Sequence, residues 1–323
     1  MEFPGGKLEL LKKFLVPGIL LVGLVTVIGV KYAESSRTAI TDDYLQGKFT
    51  HDPVVGGYTE AMPRVYGGGT KAPVGVLLLH GYSASPQEFD YLVGALRKAN
   101  IPYYAPLITG FGLDDFRLLN AASPTDWKRD ALNGYEIVAA MADKVSILGH
   151  SNGGALAAIV AKHRSVDKLV LTGPSVFVHP DDEGIKSMVL TPVLSDIALA
   201  LIPVFVKPQR EGRVTNTDTR DPEGAQNSFH YPALASKSLV TVWTIQDQVD
   251  LKDVSVEEFW LLHGADDLTV DMPSTVAALK TVGIKYRQRV FENSGHNILE
   301  DFDKDEAVDF ILSILTGEVD SYD

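Results

Sequence analysis

Val145-Ser146-Ile147-Leu148-Gly149-His150-Ser151-Asn152-Gly153-Gly154-Ala155-Leu156-Ala157-Ala158 decides how the rest of this chain is read. The apolar run Val145 to Leu148 predicts a strand buried on both faces. Small residues at helical spacing follow at once, from Asn152 to Lys162. Between the two stands Gly149-His150-Ser151-Asn152-Gly153, a G-x-S-x-G in which a sharp strand-to-helix turn lifts a serine hydroxyl above a sheet edge. Glycines two before and two after Ser151 leave room for that turn. The N–H groups opening the helix favour an anion at the same place. A glycine-rich turn with an incidental serine would show the same letters, so the partners of Ser151 carry the weight.

Outward from this stretch the chain alternates strands and helices. Val74 to His80, Ile101 to Ala105 and Leu169 to Thr172 read as further strands, with helices over Pro86 to Lys98 and Pro124 to Ala142. After a gap the pattern resumes with strands at Glu258 to His263 and Tyr286 to Phe291, and helices at Met272 to Val282 and Asp303 to Leu315. Such alternation implies an α/β fold with a mostly parallel central sheet covered by helices on both faces. The interruption from about 175 to 254 is too long for a loop and reads as an inserted helical cap, with helices over Ile185 to Val206 and Ala233 to Gln246.

A serine hydroxyl needs a base, usually a histidine oriented by a carboxylate. Of the eight histidines, His51 precedes the domain and His179 and His230 fall in the cap. His80 and His263 end strands, His150 adjoins the serine, and His163 ends the following helix. His296, in Asn293-Ser294-Gly295-His296, follows the last strand, at the carboxyl edge where open α/β sheets gather their chemistry. Asp267, after the strand ending at His263, is the matching acid, with Asp266 and Asp271 as alternatives. Two backbone N–H groups complete an oxyanion site: that of Asn152, and that of Tyr82 in His80-Gly81-Tyr82-Ser83. The Tyr82 ring is expected to line the pocket.

These stretches together resemble the α/β-hydrolase superfamily, in particular its bacterial carboxylesterase and monoacylglycerol-lipase branch. The similarity lies in LLLHGYSASPQEF (77–89), Gly110-Phe111-Gly112, GHSNGG (149–154), LLHGADDLTV (261–270) and ENSGHNIL (292–299), and spans roughly residues 70–315. It implies an α/β-hydrolase fold and a catalytic triad of Ser151, Asp267 and His296. It also implies oxyanion N–H groups at Tyr82 and Asn152, Tyr82 and Phe111 beside the substrate, and no metal or organic cofactor. Asn152 stands where the family more often has an apolar residue, and Phe111 where it more often has histidine. The expected substrate is a small-molecule ester, of short-to-medium acyl chain or a monoacylglycerol. C–C hydrolase, peptidase, perhydrolase and inert-triad binding functions share the fold.

The chain has 323 residues, with 42 acidic side chains against 29 basic ones, for a net charge of −13. That balance argues against nucleic acid as a partner. The absence of cysteine excludes a thiolate nucleophile, disulfides and Cys-ligated metal. Apolar residues concentrate from Phe14 to Val30, an uncharged run reaching roughly 26 Å as a helix, at the short end for a bilayer. Lys7, Lys12 and Lys13 before it predict an inside N-terminus and an exported domain; a cleaved signal with secretion is the alternative. The expected division is a membrane segment over 1–35, a linker and leading strands over 36–70, and the α/β domain over 71–323. The acid-rich end from Glu300 to Asp323 reads as a solvated helix face and tail. The apolar stretch 188–205 in the cap predicts an acyl or aromatic guest, or simply burial of the cap against the core.

Overall fold

Successive side chains of a strand point to opposite faces, and in this protein both faces are dry. In β4 (Ala72–Leu79), Leu77 and Leu79 enter one buried cluster while Val76 and Leu78 enter the other. In β7 (Val166–Thr172), Leu169 and Leu171 oppose Val170 in the same way, and in β10 (Val256–Gly264) Phe259 and Leu261 oppose Trp260 and Leu262. This double burial is why the strands read as continuous apolar runs. The computed structural model describes residues 5–177, 186–187, 199–207, 209–213 and 215–319, with side chains from 19 onward apart from 38, 40 and 43.

The seven strands of the main sheet lie in the order β11-β10-β7-β6-β4-β5-β3, where β3 is Arg64–Tyr66, β5 Tyr103–Ala105, β6 Ala142–His150 and β11 Arg287–Phe291. All neighbours are parallel except β3 on β5. Helices α2 (Asp90–Lys98), α3 (Pro124–Met141), α4 (Asn152–His163) and α7 (Met272–Val282) lie between successive strands, and α8 (Lys304–Thr316) follows the last one. Buried residues of α2 and α8 belong to one cluster, and those of α3, α4 and α7 to the other, so both faces are covered. The first turn of α3 is closed by a reciprocal capping box between Ser123 and Asp126.

Two expectations change. Residues 36–48 are not a linker: α1 runs unbroken over Gly5–Lys48, and a two-strand ladder of β1 (His51–Asp52) and β2 (Gly57–Tyr58) follows it. Its last turns dock on the domain. Thr41 and Leu45 are fully buried, the Arg37 guanidinium donates to Val204 O, and Phe49, just past the helix end, packs against Phe229 with ring centroids 4.8 Å apart and planes tilted by 52°. If α1 is docked in this way, Leu45→Ala lowers stability by about 2–5 kcal/mol. A residue in a free linker would change it by less than about 0.5 kcal/mol. Chemical denaturation of the detergent-solubilised chain distinguishes the two.

The second change concerns the cap. Its first span ends in a strand: β8 (Val204–Val206) pairs antiparallel with β9 (Ala233–Ala235), beside the docked end of α1. Pro203 and the β-branched pair Val204 and Val206 favour an extended chain there. Helix α6 (Ser236–Gln246) matches the second expected helix, and α5 (Pro222–Asn227) is additional. Residues 188–198, which hold most of the apolar stretch, lie outside the described residues.

Candidate active site

Ser151 sits between β6 and α4 with φ +52° and ψ −120°, a backbone geometry rarely adopted by a side-chain-bearing residue. Two close approaches force it. A Cβ on Gly149 would come within 2.5 Å of Gly153 O, and one on Gly153 within 1.9 Å of Leu79 O. The turn is pinned from both sides, Ser151 N donating to Thr172 O at 3.0 Å and Ser175 N to Ser151 O at 2.9 Å. Among the described residues, the N–H groups of Tyr82 and Asn152 have no acceptor within the protein, so both are free to donate into the cavity beside Ser151.

That cavity has a volume of about 410 Å³, and Ser151, Tyr82, Asn152 and His296 all line it. Catalytic pockets commonly fall in this size range. Phe177, Phe205, Leu239, Val242, Trp243 and Val270 form its apolar part.

His296 Nδ1 donates to Asp267 Oδ2 at 2.9 Å, and the Asp267 side chain is 2% exposed. The other Asp267 oxygen accepts from the Thr269 and Val270 N–H groups at 2.9 and 3.0 Å. Burial alone would push the His296 imidazole down, but the adjacent carboxylate outweighs it and holds it above its ordinary value. Asp267, which burial would push up, is instead held below its usual range by His296 and those N–H groups.

Most of the competing groups are engaged elsewhere, and His163 is exposed at the far end of α4. His80 Nε2 accepts from Ile108 N–H at 3.0 Å, and burial pushes its pKa down to about 4. His150 Nδ1 donates to Thr172 O at 3.0 Å, and burial, then the neighbouring His296, pushes it down to about 3. His263 meets Gly264 O and Gln288; His230 meets Asn216 and Ser228 O; His51 pairs with Asp114. His179 lies outside the described residues. Of the alternative acids, Asp266 pairs with Arg213 and Arg220, and Asp271 caps α7 through Ser274. Phe111 corrects an expectation. It is 1% exposed and packs under Tyr82, His80 and Trp127, away from the described cavity wall, because the positive-φ glycines 110 and 112 turn its ring into the core.

The acid-rich end of the chain is solvated on the α8 face, where Asp305, Glu306 and Asp309 are exposed, but not at its start. Asp301 and Asp303 are buried, and they hold the His296 loop from below: Gly295 N donates to Asp301 Oδ2 at 2.7 Å and Asn293 N to Asp303 Oδ2 at 2.8 Å. From above, His296 N donates to Asp218 O at 2.8 Å. The Asp218 carboxylate takes Arg213, Leu268 N–H and Thr269 Oγ1, so one residue ties the His296 loop to the Asp267 loop. Charged residues in an irregular stretch of the cap carry no sequence signal of such a clasp.

The family model described as "Serine aminopeptidase, S33" matches residues 71–303. The chain belongs to that hydrolase family. A thermostable monoacylglycerol lipase from Bacillus sp. (strain H-257) is 30% identical to the hydrolase over 91 residues, 28% of this chain; the match spans only 36% of that lipase. Among solved structures, a metagenome-derived lipolytic enzyme of the LipS and LipT pair superposes with a TM-score of 0.64 at 19% identity, covering 80% of the hydrolase and 98% of the other chain. The monoacylglycerol lipase of Paleococcus ferrophilus gives 0.61 at 16% identity, covering 80% and 98% respectively. At such identities these likenesses establish the α/β-hydrolase fold, as the sheet order does independently.

Proposed function

We propose that the protein is a carboxylic ester hydrolase working through Ser151, His296 and Asp267. The observation that carries this reading is the strained Ser151 elbow facing the same cavity as a histidine already bonded to a buried aspartate. His296, neutral with its proton on Nδ1, takes the Ser151 proton on Nε2 as Ser151 Oγ attacks the ester carbonyl. The Tyr82 and Asn152 N–H groups bind the tetrahedral oxyanion. His296 then protonates the leaving alcohol, and water, activated by the same imidazole, releases the acid and restores Ser151. Asp267 keeps the tautomer and stabilises the imidazolium. The apolar part of the cavity suits a short-to-medium acyl chain, in keeping with the lipase likenesses. No step needs a metal or organic cofactor.

The same reading gives the protein a membrane. Ile19–Arg37 is long and apolar enough to span a bilayer, with a mean hydropathy of 1.5 and no part of it buried. Its continuity with the docked end of α1 makes a stiff stalk of the tether, with the catalytic domain outside the cytoplasm. The test is reaction of the full-length protein with a fluorophosphonate, followed by rates on p-nitrophenyl esters of increasing chain length, monoacylglycerols and a peptide amide. Labelling at Ser151 with ester turnover is expected. An unlabelled Ser151, or turnover of the amide alone, overturns the assignment.

A further inference from the structure

One part of the cavity wall is polar and positive. Lys207 follows β8, and its backbone N–H is tied to Pro232 O at 2.9 Å while its Nζ donates to Ser83 Oγ at 2.9 Å. Both ends of the residue are therefore held, and the ammonium stands one residue beyond Tyr82, the proposed oxyanion donor. Among the described residues, no carboxylate pairs with it.

The acids nearby are already committed. Asp218 is taken by Arg213, Leu268 N–H and Thr269. Glu88 accepts from Gly81 N–H and Glu300 from Asn297. Burial above all pushes both glutamates toward the neutral acid, Glu300 up to about 7 and Glu88 well above its usual value. Arg210 adds a second cation to this part of the wall. A chain of net charge −13 thus holds inside its reaction cavity an ammonium that no carboxylate among the described residues pairs with, Asp218 acting on it without direct contact. A desolvated charge without a protein partner is costly unless an ion pairs with it, and an ammonium hydrogen-bonds oxyanions strongly.

We propose that Lys207 forms an anion subsite beside the oxyanion hole, so that the preferred ester carries a carboxylate or phosphate close to its scissile bond. The inference rests on Ser151 as the nucleophile of an ester hydrolase and names the substrate class of that site. A hemiester of a dicarboxylic acid and an acyl ester of glycerol phosphate both present this chemistry, one on the acyl side and the other on the alcohol side. Burial lowers the Lys207 pKa to about 8, which leaves it charged at neutral pH.

The experiment uses full-length protein in detergent and two matched pairs: p-nitrophenyl butyrate against p-nitrophenyl hemiglutarate, and monobutyroylglycerol against its phosphate. The expected result is an anionic-over-neutral ratio of kcat/KM at least about tenfold higher in wild type than in Lys207→Met, largely restored in Lys207→Arg. The pair that shows it tells whether carboxylate or phosphate is the natural group. An equal fall on both members of a pair would mean that Lys207 only braces Ser83, and overturns the proposal; so does an unchanged ratio. Calorimetry on Ser151→Ala with glutarate, inorganic phosphate and glycerol reads the subsite without turnover. Binding of either anion, absent for glycerol and lost with Lys207→Met, supports it, and no anion binding overturns it. Inactivity of wild type on all four esters would instead overturn the ester-hydrolase reading, while calorimetry still decides on the anion.

Discussion

Ser151→Ala lowers kcat for ester hydrolysis by about 10⁴–10⁶-fold, the range seen when a triad nucleophile is removed and only binding and oxyanion contacts remain. Stability should stay within about 0.5 kcal/mol of wild type, because the bonds that pin the turn run through Ser151 N and Ser151 O, which alanine keeps. The backbone strain at φ +52° is the same for alanine, so the elbow itself is kept. Steady-state hydrolysis, active-site labelling and a thermal melt on one preparation check the three statements together. A variant that folds normally and keeps more than about one per cent of the activity would remove Ser151 from the mechanism.

Asp267→Asn is the second large effect, with kcat/KM expected to fall by about 10⁴-fold because asparagine no longer favours the Nδ1–H tautomer of His296. Its signature is in the pH profile. Only neutral His296 accepts the serine proton, so activity is present above its pKa and lost as pH falls through it. Burial lowers that pKa and Asp267 raises it, with Asp267 prevailing, so the acid limb of the wild-type profile should lie above 6.5. Without the carboxylate, burial prevails and the limb of the residual activity moves below 6.5. A limb that stays in place, with activity near wild type, would transfer the role to Asp266 or Asp271. Their carboxylates are occupied by Arg213 and Arg220, and by Ser274, respectively.

Much of this arrangement could be read in one dimension. The central strands β4, β6, β7 and β10 announced themselves because burial on both faces removes polar residues from the run, and the bounds of α7 match the expected Met272 to Val282. Ser151 was legible because a strained turn demands glycines at fixed offsets. His296 and Asp267 were legible because parallel strands carry their loops to one edge. Phe111 was misplaced because a motif position says where the backbone goes and not which way the ring turns. The acids from Glu300 to Asp303 were misread because a carboxylate serving buried N–H groups has the same letter as a solvated one.

The order of apolar runs, glycines and three reactive residues was enough by itself to determine the fold class and to nominate Ser151 and its two partners as the candidate triad. Those features repeat locally, with periods and offsets that a single chain displays. Three things were decided only in the folded protein: the docking of α1 through Leu45, the clasp of Arg213 and Asp218 across the His296 and Asp267 loops, and the Lys207 ammonium held by Ser83 on the cavity wall. Each joins residues distant in sequence, and its energy depends on what else is nearby once water is gone. A charge or a leucine acquires that meaning from its burial and its neighbours, neither of which is written in the order of the residues.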